Sequence, residues 1–384
     1  MFMEVTRFRT APVVHFGPGA VARLEGELRQ LGAERVALLT DPGVARAGLV
    51  DRALAGVSAQ VAVFAEVEPE PPVTLVERAV AFIREHDAQA VIGLGGGSSM
   101  DTAKMAALMM GNTGAVSDYW GVDRVPHPGL PVIAIPTTAG TSSEISAAAV
   151  FVDPEAHTKK GVNCNLLLAR VAILDPELTL GLPPALTAST GLDALTHAIE
   201  AYTSPRASLL TDGNAERGVQ LIGQHLRRAY ARGDDLEART GMFAGCLFAG
   251  LALAEVNVGA VHGLAQALGG RHPVGHGLAN ALLLPYVMAY NRIACREKYA
   301  RVAELLGEYL EGLSIDEASE RAVEAVRRLT VELGIPQRLR DINVTRNILD
   351  EVAQSAIDTQ QRVMANNPRA VSLEDARAIL RLAW

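Results

Sequence analysis

The 384-residue chain reads as an α/β N-terminal domain built on a parallel sheet, followed by an all-α C-terminal domain. Short apolar runs alternating with amphipathic stretches in the first half, and helical periodicity with almost no strand-like run in the second, predict this division. The runs are Val36–Thr40, Gln60–Ala65, Ala90–Leu94, Pro131–Pro136 and Val171–Leu174, brief and mostly apolar as strands buried on both faces of a sheet must be. Between them, Val73–His86 places Leu75, Val76, Ala79, Val80 and Ile83 on one helical face, which makes the unit βαβ. Beyond Asp175-Pro176 and the Pro183-Pro184 loop the pattern turns helical, as in Ile315–Leu333 and Leu373–Leu382. The boundary falls within 178–186, giving domains 1–182 and 183–384. The uncharged stretch Thr240–Ala254 is shorter than the roughly 18 residues of a membrane span and predicts a buried helix, packed closely through Gly245 and Gly250.

Apolar residues make up 49% and charged residues 20%, the balance of a folded chain rather than a disordered one. A net charge of −8 repels phosphate, so neither nucleic acid nor an anionic membrane is an expected partner. Cys164, Cys246 and Cys295 are widely spaced without a CxxC pair; disulfides and thiolate metal sites are disfavoured, and a reducing cytoplasm fits. Met1–Thr10 has no apolar core of signal-peptide length, which predicts no secretion.

Two glycine loops compete as anion cradles. Gly17-Pro-Gly19-Ala-Val-Ala22 matches GxGxxA, with Asp41 at the distance of a ribose-binding acid, but Pro18 removes a backbone donor and a plain strand-to-helix turn is the better reading. In Gly93–Met110 a buried strand ends at Gly95-Gly96-Gly97-Ser98 and a helix begins at once, with Asp101 and Lys104 in its first turns. Bare backbone and a helix N-terminus suit a pyrophosphate, while the Walker spacing is absent. The loop Ile135–Glu144 follows a third strand and offers hydroxyls at Thr137, Thr138, Thr141 and Ser142, one of which serves as a helix cap.

In the helical half Asp193 and His197 lie four residues apart and share one helical face. His262 and His276 follow, each between small or apolar neighbours. Three imidazoles and a carboxylate suit a borderline divalent ion, Fe(II), Zn(II) or Mn(II), with positions open to a substrate oxygen. His15, His86, His127, His157 and His225 read as structural, and His272 as lying outside the ligand spacing.

Taken in order, GGGSSMDTAK, PTTAGTSSE, GLDALTHAIEAYTS and HGLAQALGG followed by GHGLANALLLPYVM resemble the iron-containing (group III) alcohol dehydrogenase family over nearly the whole chain. The resemblance implies a dehydroquinate synthase-like architecture, an N-terminal nucleotide-binding domain and a helical domain with a cleft between them. It implies Asp193, His197, His262 and His276 as ligands to Fe(II), with Zn(II) as a substitute, and a homodimer or higher homo-oligomer. It matches Asp41 to an acid beside the adenosine ribose, which favours NAD(H) over the 2′-phosphorylated form, and Lys159 to a cofactor-contacting lysine, leaving Lys160 solvated. Three departures stand out: Gln266 where relatives often carry histidine, Glu70-Pro71 for Asn-Pro, and Ser99 for proline in the glycine loop. Glutamine does not titrate near neutrality, so no proton relay passes through position 266.

The function this implies is NAD(H)-linked oxidation of a small alcohol, or reduction of an aldehyde or ketone. Hydride would pass to or from nicotinamide C4 while the metal holds the alkoxide or polarises the carbonyl. Gly95, Gly96, Gly97 and Ser98 would hold the pyrophosphate; Asp101, Thr137 and Thr138 would help place the nicotinamide; Lys104 would add charge or simply be solvated. One alternative is a metal-dependent lyase of the dehydroquinate synthase type, although such a site is rich in lysine and this chain has only Lys104, Lys159, Lys160 and Lys298. The other is a non-catalytic protein keeping the fold.

Overall fold

The computed structural model describes residues 8–153 and 158–384; the signal-segment reading of Met1–Thr10 falls mostly outside them and His157 wholly so. Two compact units result, Thr10–Leu180 and a second containing Gly181–Trp384. Arg9 belongs with the second, where its Nε lies 3.2 Å from Glu255 Oε1.

The first unit is built on strands β1 (Val13–Phe16), β2 (Arg35–Leu39), β3 (Gln60–Phe64), β4 (Ala90–Gly95), β6 (Val132–Pro136) and β9 (Val171–Leu174). They pair in parallel in the order β1-β9-β6-β4-β2-β3. Alternate residues feed two cores. Leu38, Ile92 and Ile133 pack with residues of α1 (Leu24–Gln30), α2 (Pro42–Arg46) and α3 (Leu49–Leu54), while Leu39, Val91 and Ala134 pack with α4 (Val73–Glu85) and α5 (Gly97–Met109). Burial of β2, β4, β6 and β9 on both faces is why these runs carry no polar alternation, while the edge strands β1 and β3 are only partly buried. On α4 the five residues expected to face the sheet are the buried ones.

A second sheet was not expected: β5 (Gly121–Val122), β8 (Thr158–Asn163) and β7 (Ala148–Asp153), with β7 antiparallel to β8. Its strands are short and β8 reads TKKGVN, too polar for an apolar pattern to reveal.

The Gly17–Ala22 segment is a strand-to-helix turn leading from β1 toward α1, and its free amides are satisfied from within the chain. The N–H groups of Gly19 and Val21 each donate at 3.1 Å to the carboxylate of Asp175, which is fully buried.

The second unit contains α6 (Pro184–Thr203), α7 (Leu209–Ala231), α8 (Leu236–Val256), α9 (Ala260–Gly269), α10 (His276–Asn291), α11 (Arg296–Leu305), α12 (Ile315–Glu332), α13 (Leu349–Thr359), α14 (Gln361–Met364) and α15 (Leu373–Ala383), with no strand among its described residues. Helix α8 is long and apolar enough to cross a membrane, yet half of that apolar stretch is buried against the rest of the unit. Its Gly245 lets α7 approach: a β-carbon there would lie 3.1 Å from the Ile222 nitrogen. All three cysteines are buried and unbridged.

Candidate functional site

In the first unit, β2 connects outward to β3, and β4 then returns on the opposite side of β2. The carboxyl ends of β2 and β4 therefore flank a topological switch point, where open α/β sheets bind ligands. Asp41 follows one of these strands and Gly95-Gly96-Gly97 the other.

Gly95 adopts φ +146°, and a β-carbon there would meet Ser99 Oγ at 2.6 Å and Asp41 Oδ2 at 3.2 Å. One at Gly97 would meet Thr141 Cγ2 at 2.8 Å. No side chain caps the α5 N-terminus, so its amides and dipole remain oriented toward an anion. Asp41 Oδ1 accepts from the N–H groups of Gly43 (2.8 Å) and Val44 (3.0 Å), capping α2, while Oδ2 is the oxygen on the Gly95 side. Thr137 is buried and its N–H donates to Gly95 O at 3.0 Å; the Thr138 hydroxyl lies beside Gly96. These groups form a bare-backbone cradle that an added side chain would fill, and a pyrophosphate fits its chemistry.

Asp101 has internal partners, and Lys104 departs from the expectation of a solvated residue. Asp101 Oδ1 accepts from Ser143 Oγ at 2.5 Å and Oδ2 from Val150 N–H at 2.9 Å, so the carboxylate braces the Thr141–Val150 segment. Lys104 is neither solvated nor displayed to a ligand: 1% exposed, its ammonium donates to Ser143 O at 2.9 Å and Ala148 O at 2.5 Å and pairs with Asp101 at 3.2 Å. Helix α5 is buried nearly all round, which is why its lysine has to be internally satisfied. Lys159, largely buried, pairs with Glu70, the residue standing in place of the family's asparagine. Lys160 is half-exposed and pairs with Asp153 at 2.7 Å.

The same segment holds Glu144, which is 2% exposed. Burial pushes its carboxyl up to about 7, against a hydrogen bond from its own backbone and the attraction of Lys104. Between the ordinary value of 4.5 and about 7 the folded chain keeps a proton that the unfolded chain has lost. Stability therefore falls as pH rises through that window, by about 3 kcal/mol in all. Glu144→Gln should remove this contribution: from pH 5 to 8 the urea midpoint of the wild type should fall relative to that of the variant.

In the second unit, α6, α9 and α10 bring the four expected ligands together. Ligand atoms of Asp193, His262 and His276 lie within 4.8 Å of one another. His197 Nε2 is 3.1 Å from His262 Nε2 and 3.9 Å from Asp193 Oδ1. Asp193, His197 and His262 are buried, and His276 is partly exposed, which leaves the cluster open on one side. Gly277 permits the approach of α10 to α6: a β-carbon there would sit 2.7 Å from Ser189 O. Burial alone would raise the Asp193 carboxyl, but the three imidazoles and the Asn280 amide outweigh it and hold it below the usual range.

Asn280, one turn after His276, was missed in the sequence. Its Nδ2 donates to Asp193 Oδ1 at 2.7 Å and lies 3.0 and 3.1 Å from the Nε2 atoms of His262 and His276. Asn280 thus ties together a carboxylate oxygen and two imidazole nitrogens that could each ligate a metal. A carboxylate among several imidazoles suits a cation, and the nitrogen-rich donor set suits iron or zinc rather than calcium or magnesium. An asparagine in an apolar helix has no motif of its own, and only the ligand next to it marks it. Three of the other histidines have structural partners: His15 pairs with Glu27, His86 bonds Phe82 O, and His272 bonds Ile342 O. Gln266 is partly exposed, one turn beyond His262 on α9.

Comparison with known proteins agrees with this geometry. The family model for the iron-containing alcohol dehydrogenases matches residues 11–176, and that for the C-terminal part of the Fe-containing alcohol dehydrogenase family matches residues 187–384. Long-chain-alcohol dehydrogenase 1 of Geobacillus thermodenitrificans is 42% identical, covering 100% of this chain and 98% of its own. NAD-dependent methanol dehydrogenase of Bacillus methanolicus is 37% identical over 99% of this chain and 100% of its own. The crystal structure of a 1,3-propanediol oxidoreductase superposes with a TM-score of 0.96 at 38% identity, covering 99% of this chain and 100% of that one. These relatives are dehydrogenases and oxidoreductases, and the glycine cradle of the sheet unit and the His/Asp cluster of the helical unit fit that class of enzyme. The chain belongs to the iron-containing alcohol dehydrogenase family.

Proposed function

We propose that the protein interconverts a small alcohol and its aldehyde or ketone, with NAD(H) as hydride acceptor or donor. The observation that carries this reading is the convergence of potential ligand atoms of Asp193, His262 and His276, with His197 alongside, on one largely buried centre. These four residues would hold Fe(II), with Zn(II) as the alternative. When bound, the metal supplies Lewis acidity toward the oxygen of the alcohol or carbonyl.

The remaining work falls to the chain itself. The amides of Gly95–Ser98 at the α5 N-terminus bind the pyrophosphate, and Asp41, through the oxygen left over from capping α2, accepts a ribose hydroxyl and repels a 2′-phosphate. Thr137 and Thr138 place the nicotinamide. Asp101 contributes by bracing the loop that carries them, and Lys159 meets the cofactor with its ammonium shared with Glu70. Relatives named for long-chain alcohols, methanol and propanediol support the alcohol class without choosing a member of it. A cytoplasmic protein without nucleic-acid or membrane partners fits the charge and cysteine pattern, and a homo-oligomer is what the family resemblance implies.

The test is to purify the protein anaerobically, remove metal with a chelator, and follow NADH absorbance with a panel of small aldehydes and ketones before and after adding Fe(II) or Zn(II). Turnover that returns only with metal supports the proposal. Tight NADH and metal binding without net NADH consumption across the panel would favour a lyase, and binding of neither would sink the site assignment.

A further inference from the structure

Glu200 lies near the end of α6, the helix that also carries Asp193 and His197, and is 6% exposed. Its carboxylate gathers donors from the start of α9: Oε1 accepts from Val261 N–H at 2.7 Å and Oε2 from Gly259 N–H at 2.9 Å, with His262 Nδ1 at 2.6 Å from the same oxygen. Gly259 makes room for this, since a β-carbon there would come within 3.1 Å of Oε1. A deprotonated carboxylate only accepts, so the imidazole nitrogen facing it carries the hydrogen. The other nitrogen, Nε2, is then a lone pair, and it is the one turned toward Asp193, His197 and Asn280.

We infer that Glu200 is a positioning residue that sets the tautomer and ring orientation of His262 and so prepares one metal ligand before any metal arrives. The inference rests on the metal reading above and adds to it a residue outside the four ligands. One helix then supplies two ligands directly and orients a third through Glu200. A carboxylate behind a ligating imidazole also raises its basicity, and losing such a partner typically weakens metal binding by about 10–100-fold.

The experiment compares metal-free wild type, Glu200→Gln, His262→Gln and the double variant by Co(II) titration, read from the visible absorption of the bound ion and by chelator competition. Glutamine keeps the size of the side chain but removes the charge and sets an amide against at least one of the donors. Glu200→Gln should weaken Co(II) binding by about 10–100-fold in the wild-type background and by less than about 3-fold beside His262→Gln, because the effect passes through that ring. Equal losses in both backgrounds, or none in either, would overturn the inference. A readout that needs no folded variant of Glu200 is the ¹⁵N-histidine spectrum of the metal-free wild type, with His262 assigned from the signal missing in His262→Gln. It should show hydrogen on Nδ1, and hydrogen on Nε2 would equally overturn the inference. Failure of the wild type to bind Co(II) at all would strike at the metal reading itself, a result distinct from either of these.

Discussion

Replacing Asp193 by alanine should leave a folded chain that no longer retains its metal through dialysis against a mild chelator. Asp193 brings the only carboxylate among the four expected ligands, and it sits 3.7–4.0 Å from imidazole nitrogens of His197, His262 and His276. Binding free energies of about 10–16 kcal/mol for four-ligand sites put roughly 3 kcal/mol on each ligand, so affinity should fall at least about 10²-fold. The loss should exceed that share, because the deleted group is the one that neutralises charge in a buried setting. Two readings check it: metal per chain by elemental analysis, and the rise in melting temperature on adding metal, which should be present in the wild type and absent in the variant. A variant that keeps full metal occupancy would remove Asp193 from the site. NADH binding, proposed for the other unit, should be little changed.

Gly95→Ala should show the opposite profile, with metal retained and NADH binding weakened by at least about tenfold. The backbone at φ +146° is open to glycine and strained for any L side chain, a cost on the order of 1–3 kcal/mol. The new methyl group would also lie 2.6 Å from Ser99 Oγ and 2.8 Å from Ser99 Cβ, an overpacking on the order of 1–3 kcal/mol more. The loop can escape only by moving, which displaces the amides of the α5 N-terminus. Fluorescence titration with NADH measures the binding, and the urea midpoint measures the strain. Adding Ser99→Gly should recover part of the stability but not all, since it relieves the clash and leaves the dihedral strain. Unchanged NADH affinity in Gly95→Ala would exclude this loop from the cofactor site.

The contrast between these variants follows what was legible in the sequence. Buried parallel strands leave continuous apolar runs, so β2, β4, β6 and β9 could be read within a residue or two at either end, as could the partly exposed but mostly apolar edge strand β3. The small sheet was hidden because β8 is polar and β5 has two residues. Asp193 and His197 are visible as a pair because helical spacing is local, and His262 and His276 because histidine between small residues is unusual. Glu200 and Asn280 announce nothing: their meaning comes from groups 62 and 87 residues away. Lys104 misled for the same reason. A lysine after a glycine loop suggests a displayed charge, and only the carbonyls of Ser143 and Ala148, on a segment about forty residues later, reveal a buried brace.

The carboxylate of Asp175 in the Gly19–Val21 turn bears on how the chain is made. Among the described residues strand β1 pairs only with β9, Val13 against Val171, and the turn that follows it is completed by a residue 156 positions beyond Gly19. At about 5–20 residues per second, the first strand emerges from the ribosome roughly 10–30 s before the partner that holds it. Throughout that interval β2, β3, β4 and β6 can assemble in order of synthesis, while Val13–Phe16 has no ladder to join. The first strand made is thus among the last to be placed, and closure of the sheet edge is a late event that reports completion of the whole α/β unit.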